Sequence, residues 1–306
     1  MEKPCLLSVV IPVYSSEPYI ARCVKSLMEQ SMEDGIEFIF VNDCSPDRTM
    51  DILRSVIQEY PHRLSQIQII DHEQNLGAVQ SRKDGALISK GEYIICCDHD
   101  DYIESNMYER LYQTTEGGTA DIVECGFYRY KGEEKVGVYL PDKSNRLDLW
   151  NSYLWNHLVK RELFLAHYDD FIPCKYSEDT FLMCYYYYYA SKIKVLREAL
   201  YHHIDNPESI THSMDIASIK HQLQANCSNV EKLYRSFAVS KSLHKYILHL
   251  KYQAKDSYSS LWSFYWSFRK SSFYILFDNQ IPFISKMKMF LVNNIYVFFY
   301  IREKTK

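Results

Sequence analysis

Residues 93–101 read YIICCDHDD. The first five positions, Tyr93 to Cys97, are apolar or aromatic and run without a break into Asp98, His99, Asp100 and Asp101. A short apolar run stopped by acids reads as a buried strand that ends in an acidic loop. Before it, Gly77 to Lys90 reads as a helix, with Gly91 as its left-handed stop. Upstream, Leu6 to Val13, Ile36 to Val41 and Ile67 to Ile70 are three more strand-like runs. Helical stretches separate them: Glu17 to Gln30, with Ile20, Val24, Leu27 and Met28 on one face, and Arg48 to Glu59. Such alternation predicts parallel strands joined by right-handed crossovers, a doubly wound α/β sheet. Ligands in such sheets bind beyond the carboxyl ends of the strands, here after Val13, Val41 and Cys97.

From Glu104 the pattern changes. A helix is predicted over Met107–Thr114, a strand over Asp121–Tyr128, and a hairpin or exposed loop over Gly132–Val138. Trp155 to Phe164 leads into a helix, Glu178 to Ala190 reads as another that carries the run Tyr185–Tyr189, and strands follow at Ile193–Leu196 and Ala199–His203. The division expected is an α/β domain over residues 1–213 and a helical, aromatic region over 214–306, where Trp262, Phe264, Tyr265, Trp266 and Phe268 cluster.

The chain has 306 residues, 47% of them hydrophobic and 24% charged, enough for a full core. A net charge of −4 gives no global attraction to nucleic acid. The 9 cysteines form no CxxC pair or zinc-type spacing, which fits a reducing cytosol. The 27 tyrosines suit carbohydrate-facing clefts, but for most of them filling core and surface is the better reading. Leu6 to Ile11 is too short for a signal or a membrane span, so the expected location is the cytoplasm.

Three acidic constellations could carry chemistry. Asp98, Asp100 and Asp101 repel one another unless a cation sits among them; a hard divalent ion such as Mg²⁺ or Mn²⁺ would leave room for phosphate oxygens and water. A leaving diphosphate needs such help as its charge grows. The alternative is an acidic loop capping the helix that follows. Asp43, just past the second strand, could accept the imino proton of a pyrimidine, while Ser45 and Asp47 read as turn and cap residues. Asp179 follows Ser177, a candidate N-cap, and precedes apolar Phe181, Leu182 and Met183. A carboxylate fixed there could take a proton from a hydroxyl, or could simply favour the helix dipole.

Seven segments in order resemble family 2 glycosyltransferases, whose fold is GT-A. Ser8–Tyr14 resembles their opening VSVIIPVYN, and Phe40–Asp47 their VDDGSxD. Asn75, Leu76 and Gly77, with Arg82 and Gly85, resemble NxGxxxARNxG, and Lys90–Asp101 resembles GEYIxxLDxDD. Trp155–Arg161 resembles WNKLFKR, Ser177–Thr180 resembles xEDxxF, and Tyr201–Thr211 resembles YYYRxRPxSIT. The resemblance implies inverting transfer from a nucleotide-diphospho-sugar, most often of uracil. It implies that Pro12 and Tyr14 line the nucleotide site, Asp43 contacts the base and Arg82 faces the nucleotide. Asp98 would lie at the ribose or metal, Asp100 would ligate the metal, and Asp179 would deprotonate the acceptor.

Departures from the pattern matter. His99 replaces a small residue, and Cys44 stands where Gly is commoner, which burdens the turn's backbone. Ile204 and Asn206 replace arginines that could meet the diphosphate; His203 becomes a candidate metal or phosphate contact, with a structural role as the alternative. In the C-terminal region, Phe283–Ile301 followed by Arg302, Lys304 and Lys306 reads as a basic aromatic helix on an anionic membrane, or as one packed on the catalytic domain or a second subunit. The expected partners are a nucleotide-sugar donor and a glycan or lipid-linked acceptor. Two rivals are a sugar nucleotidyltransferase, which would open with a glycine-rich basic loop that Tyr14–Pro18 lacks, and a sugar-nucleotide-binding scaffold, which would have lost Asp98, Asp100 or Asp179.

Overall fold

The computed structural model describes residues 4–142, 153–170, 178–205 and Asn229. The chain divides into two units, Met1–Met214 and Asp215–Lys306, and the elements below belong to the first. Expectations for Ser177, for Asn206 and for the aromatic and basic C-terminal segment lie outside the described residues.

Four strands form the parallel half of a sheet: β1 (Leu7–Val13), β2 (Ile36–Asn42), β3 (Ile67–Asp71) and β4 (Tyr93–Cys96), in the order β3-β2-β1-β4. β1 is buried at every position, which is why it reads as a continuous apolar run rather than an alternating one. Its register pairs Val13 with Asn42, and β2 pairs Asn42 with Asp71, so the polar strand ends line one rim. Three crossover helices, α1 (Ile20–Met28), α2 (Thr49–Gln58) and α3 (Ala78–Ile88), connect these strands. α1 buries Ile20, Cys23, Val24, Leu27 and Met28, the face predicted from their spacing.

Gly91 corrects one expectation. α3 stops at Ile88, and Gly91 is not among the glycines with positive φ. A Cβ there would stand 2.6 Å from both the backbone N and the Oγ of Ser8. This glycine therefore permits close approach to β1, and its N–H donates to Ser8 Oγ at 2.8 Å.

The second half of the sheet is mixed. β5 (Tyr102–Ile103), β6 (Ile122–Lys131), β7 (Glu134–Tyr139), β8 (His157–Lys160) and β9 (Ile193–Asp205) extend it in the order β4-β8-β6-β9-β5, with β7 paired to β6. β8 runs antiparallel to both β4 and β6, whereas β6 and β9 are parallel. Three further helices are α4 (Met107–Thr114), α5 (Arg161–His167) and α6 (Glu178–Tyr189). The stretch expected to lead straight into a helix thus first makes β8, whose His157, Leu158 and Val159 are buried. The two strands expected after α6 are one, with register shifts opposite Gly126 that hide its continuity from an alternation pattern. In the tyrosine run, Tyr185 and Tyr186 are buried while Tyr188 and Tyr189 are exposed, as one face of a helix requires.

Candidate active site

Of the three rims predicted from the strand order, those after β2 and β4 hold the candidate acids. Asp43 follows β2 and is almost wholly buried. Its Oδ1 accepts the Leu76 N–H at 2.7 Å, its Oδ2 accepts the Gly77 N–H at 2.8 Å, and His72 Nδ1 lies 2.9 Å from Oδ1. Asp43 is thus bound to the loop that enters α3. Cys44 beside it has φ +61°, the left-handed conformation that the usual glycine would adopt without strain. Asp47 acts as the expected cap, accepting the Thr49 N–H at 3.1 Å at the start of α2.

Pro12 lies within buried β1, and Tyr14 just past it is exposed. The Pro12 carbonyl accepts from His99 Nδ1 at 2.9 Å, which ties the β1 end to the acidic loop. That bond accounts for the departure at position 99: the ring reaches across to the neighbouring strand.

Asp98 and Asp100 are partly exposed, but Asp101 is buried. Asp101 Oδ1 accepts the Ile204 N–H at 2.7 Å, and Oδ2 accepts the Tyr201 hydroxyl at 2.8 Å. His203 Nδ1 stands 3.3 Å from the same Oδ2. Burial pushes the Asp101 carboxyl up to about 6, against the lowering pull of His203. Asp101 therefore moors the acidic loop to β9, a role its sequence position beside two candidate ligands concealed. The His203 ring also stacks near Trp155, at 5.5 Å between centroids, and Trp155 stacks on Tyr201 at 4.2 Å.

Acids clustered in this way need a cation among them, and the fold supplies one from its own chain. Arg82 on α3 is buried, with Nη2 2.8 Å from Asp98 Oδ1 and Nη1 2.6 Å from Glu178 Oε1. The same Nη1 lies 3.7 Å from Asp179 Oδ1. These carboxylates hold Arg82 well above its ordinary pKa despite the opposing effect of burial. The residue expected to face the nucleotide thus joins the acidic loop to the first turn of α6. Glu178 is the partner that sequence reasoning did not single out, although it stands beside Asp179 in the quoted motif.

Asp179 Oδ2 accepts the Leu154 N–H at 3.3 Å, while Oδ1 is buried without a hydrogen-bond partner among the described residues. Burial raises its pKa, against Arg82 and with Asp98 assisting. Burial and the adjacent Asp179 push Glu178 up to about 8. Such a pair titrates jointly, and buried proximity favours a shared proton.

For a divalent cation, the donor set is oxygen-rich but sparse. Among the described residues no three His, Cys, Asp or Glu side chains form a group that could hold an ion. His203 is directed to Asp101 and His99 to Pro12, so the set fits an ion with one or two carboxylate ligands and a shell otherwise completed by phosphate and water. A cleft of about 530 Å³ lies behind the acidic loop, lined by Arg22, Lys25, Tyr102 and Glu104 among others. It contains none of the site carboxylates.

A buried aspartate after β2, an acidic loop after β4 and a carboxylate pair on α6 tied to that loop through Arg82 together define the candidate site. Residues 8–176 match the family described as Glycosyl transferase family 2, and the chain belongs to that family. It is 33% identical over 226 residues to "Uncharacterized glycosyltransferase EpsJ" of Bacillus subtilis, a match covering 67% of this chain and 63% of that protein. The chain thus spans less than two thirds of that relative's length. It is also 33% identical over 162 residues to the poly(ribitol-phosphate) beta-glucosyltransferase of Bacillus spizizenii, covering 52% of this chain and 25% of that one. The fold superposes on S. aureus TarS 1-349 in complex with UDP-GlcNAc with a TM-score of 0.63 at 19% identity, covering 94% of this chain and 79% of that one. It also matches the mannosyltransferase PcManGT from Pyrobaculum calidifontis, in complex with GDP-Man and Mn²⁺, with a TM-score of 0.56 at 14% identity; the coverage is 96% of this chain and 87% of that one. The fold is GT-A. Among the described residues no helix is long and apolar enough to cross a membrane.

Proposed function

We propose that this chain is an inverting glycosyltransferase that moves a sugar from a nucleotide-diphospho-sugar to a hydroxyl of a glycan or lipid-linked acceptor in surface polysaccharide synthesis. The observation that carries the reading is Asp179, whose Oδ1 is buried at the start of α6 with no hydrogen-bond partner among the described residues and only the more distant charge of Arg82 beside it. Leu154 fixes its other oxygen, and burial raises its basicity. Burial and the adjacent Asp179 push Glu178 up to about 8, so near neutral pH the jointly titrating pair keeps one proton and one negative charge. Asp179 takes the acceptor's proton as the hydroxyl oxygen attacks the anomeric carbon. The carbon–oxygen bond to the diphosphate breaks on the opposite face, so configuration inverts in one displacement.

Asp98 and Asp100 would hold a divalent ion, which when bound offsets the charge growing on the leaving diphosphate. Arg82 holds Asp98 and the α6 carboxylates in one fixed array, so the donor and acceptor ends of the reaction keep their spacing. UDP and UDP-GlcNAc in the TarS crystals support a UDP-sugar donor. Mn²⁺ in PcManGT supports metal use. The similarity to a poly(ribitol-phosphate) beta-glucosyltransferase supports a surface-polysaccharide acceptor. The aromatic and basic C-terminal sequence would suit work at the cytoplasmic face of a membrane.

The test is calorimetry of UDP binding with and without Mn²⁺, followed by transfer assays with UDP-sugars. Asp100→Ala should abolish the metal-dependent part of binding. Asp179→Asn should keep nucleotide binding and lose about 10²–10⁴ in turnover. An Asp179→Asn enzyme as active as wild type would overturn the assignment of the base, and absence of binding to any nucleoside diphosphate would overturn the enzyme reading.

A further inference from the structure

Asp43 is not a loosely held carboxylate. Both of its neighbours from the α3 entry loop are backbone donors, Leu76 N to Oδ1 and Gly77 N to Oδ2. The third partner is His72, whose Nδ1 lies 2.9 Å from Oδ1. His72 is itself fixed at several points. Its backbone N–H donates to the Asn42 carbonyl at 2.9 Å, which ties the chain just after β3 to the end of β2. Its side chain is 8% exposed, and Nε2 stands 3.2 Å from Asp84 Oδ2 on α3. Gln80 holds the other oxygen of Asp84 at 2.9 Å. The imidazole is therefore wedged between the candidate base contact and the crossover helix.

A carboxylate offers about four acceptor sites, two on each oxygen. In Asp43 the two on Oδ1 are filled by Leu76 and His72, and one on Oδ2 is filled by Gly77. One site on Oδ2 remains among the described residues. We infer that His72 is a positioning residue for nucleobase recognition: by filling Oδ1 and fixing the carboxylate plane, it leaves Asp43 one acceptor for one ring N–H. This rests on the proposed nucleotide donor.

A single acceptor matches the lone imino N–H of uracil or thymine. Guanine presents a ring N–H and an amino group side by side and would need both oxygens, one of which is filled. Cytosine has no proton on the corresponding nitrogen. A site built around one N–H discriminates strongly against a base that lacks it, because the buried acceptor is then left unpaired.

The test uses the full chain with Mn²⁺ and measures affinity for UDP, N3-methyl-UDP and GDP. The wild type should bind UDP at least about tenfold more tightly than either of the others, the expected size of one hydrogen bond to a charged group. His72→Phe fills the ring space without a donor, and His72→Gln carries its amide out towards the Nε2 position; both should compress the UDP to N3-methyl-UDP ratio by about tenfold. His72→Asn places an amide N–H near the position of Nδ1 and should retain the ratio. Melting curves establish that each variant folds, and His72→Gln carries the test if His72→Phe does not.

Loss of the ratio in Asp43→Asn together with its full retention in both donor-free His72 variants would overturn the role of His72. Equal loss in His72→Asn and His72→Phe would overturn it as well, since the donor would then not be what matters. If Asp43→Asn keeps the ratio, Asp43 does not read the base and the inference falls while the enzyme reading stands. A wild type that binds no nucleotide removes both.

Discussion

Replacing Arg82 by methionine tests the idea that the acids of the site are held together by a cation of the chain's own. The substitution keeps an unbranched apolar stem and removes the guanidinium. Arg82's side chain is 7% exposed, and those of Glu178, Asp179 and Asp98 are 12%, 16% and 26% exposed, so solvent could replace the lost partner only in part. Removing one member of a buried ion pair costs about 3–5 kcal/mol, because the charges left behind are uncompensated. For a domain of this size that is a fall of about 10–15 °C in melting temperature. The deficit should depend on pH. At pH 8 the remaining carboxylates must either ionise against one another or bind protons against the solution, and the full cost is felt. Towards pH 5 Glu178 gives up its charge in both proteins, so the part of the deficit that comes from leaving that charge unpaired fades and the two proteins converge. Urea titrations at the two pH values read this directly. A variant within about 1 kcal/mol of wild type at pH 8, or a deficit that widens on acidification, would refute the reasoning.

Glu178→Gln should be well tolerated at pH 7, because Glu178 already holds its proton there and an amide oxygen can still accept from Arg82. The unfolded chain loses that proton near 4.5 and the fold near 8, so between these values the fold binds a proton the unfolded chain has lost. Wild-type stability relative to Glu178→Gln should therefore fall as pH rises through that window; a difference that stays flat between pH 5 and pH 8 in denaturant titrations would contradict this. Gly91→Ala should lower stability by about 1–3 kcal/mol, since its Cβ would meet the backbone of β1 rather than a movable side-chain tip, and a thermal melt suffices to check it.

The parallel half of the sheet was legible because β1, β2 and β4 are buried on both faces and separated by amphipathic helices. The mixed half was not. β8 has four residues and passes directly into α5, so its apolar positions merge with those of the helix. β9 hides behind its register shifts, and β5 has only two residues. At the site, the acids announced themselves by clustering after strands, but their partners did not. His72, Arg82 and Glu178 find their roles only through contacts such as that between Arg82 and Glu178, 96 residues apart. No local pattern encodes such a contact. Asp101 shows the reverse error: charge density suggested a ligand cluster, and burial shows that one of its members is a mooring.

The parallel pairing of β6 with β9 also has a consequence in time. Ile122 pairs with Ile193, and the loop that carries Asp98 and Asp100 is moored through Asp101 to Tyr201 and Ile204. At about 5–20 residues per second, a ribosome that has finished β6 needs several seconds more to deliver its partner strand. The β3-β2-β1-β4 half has every strand it needs by Cys96, whereas the bonds that moor Asp101 to β9 wait until residue 204 has been made. The order of synthesis thus separates the birth of the parallel scaffold from the final setting of its acidic loop, and a nascent chain short of β9 would have the sequence of the site without its full geometry.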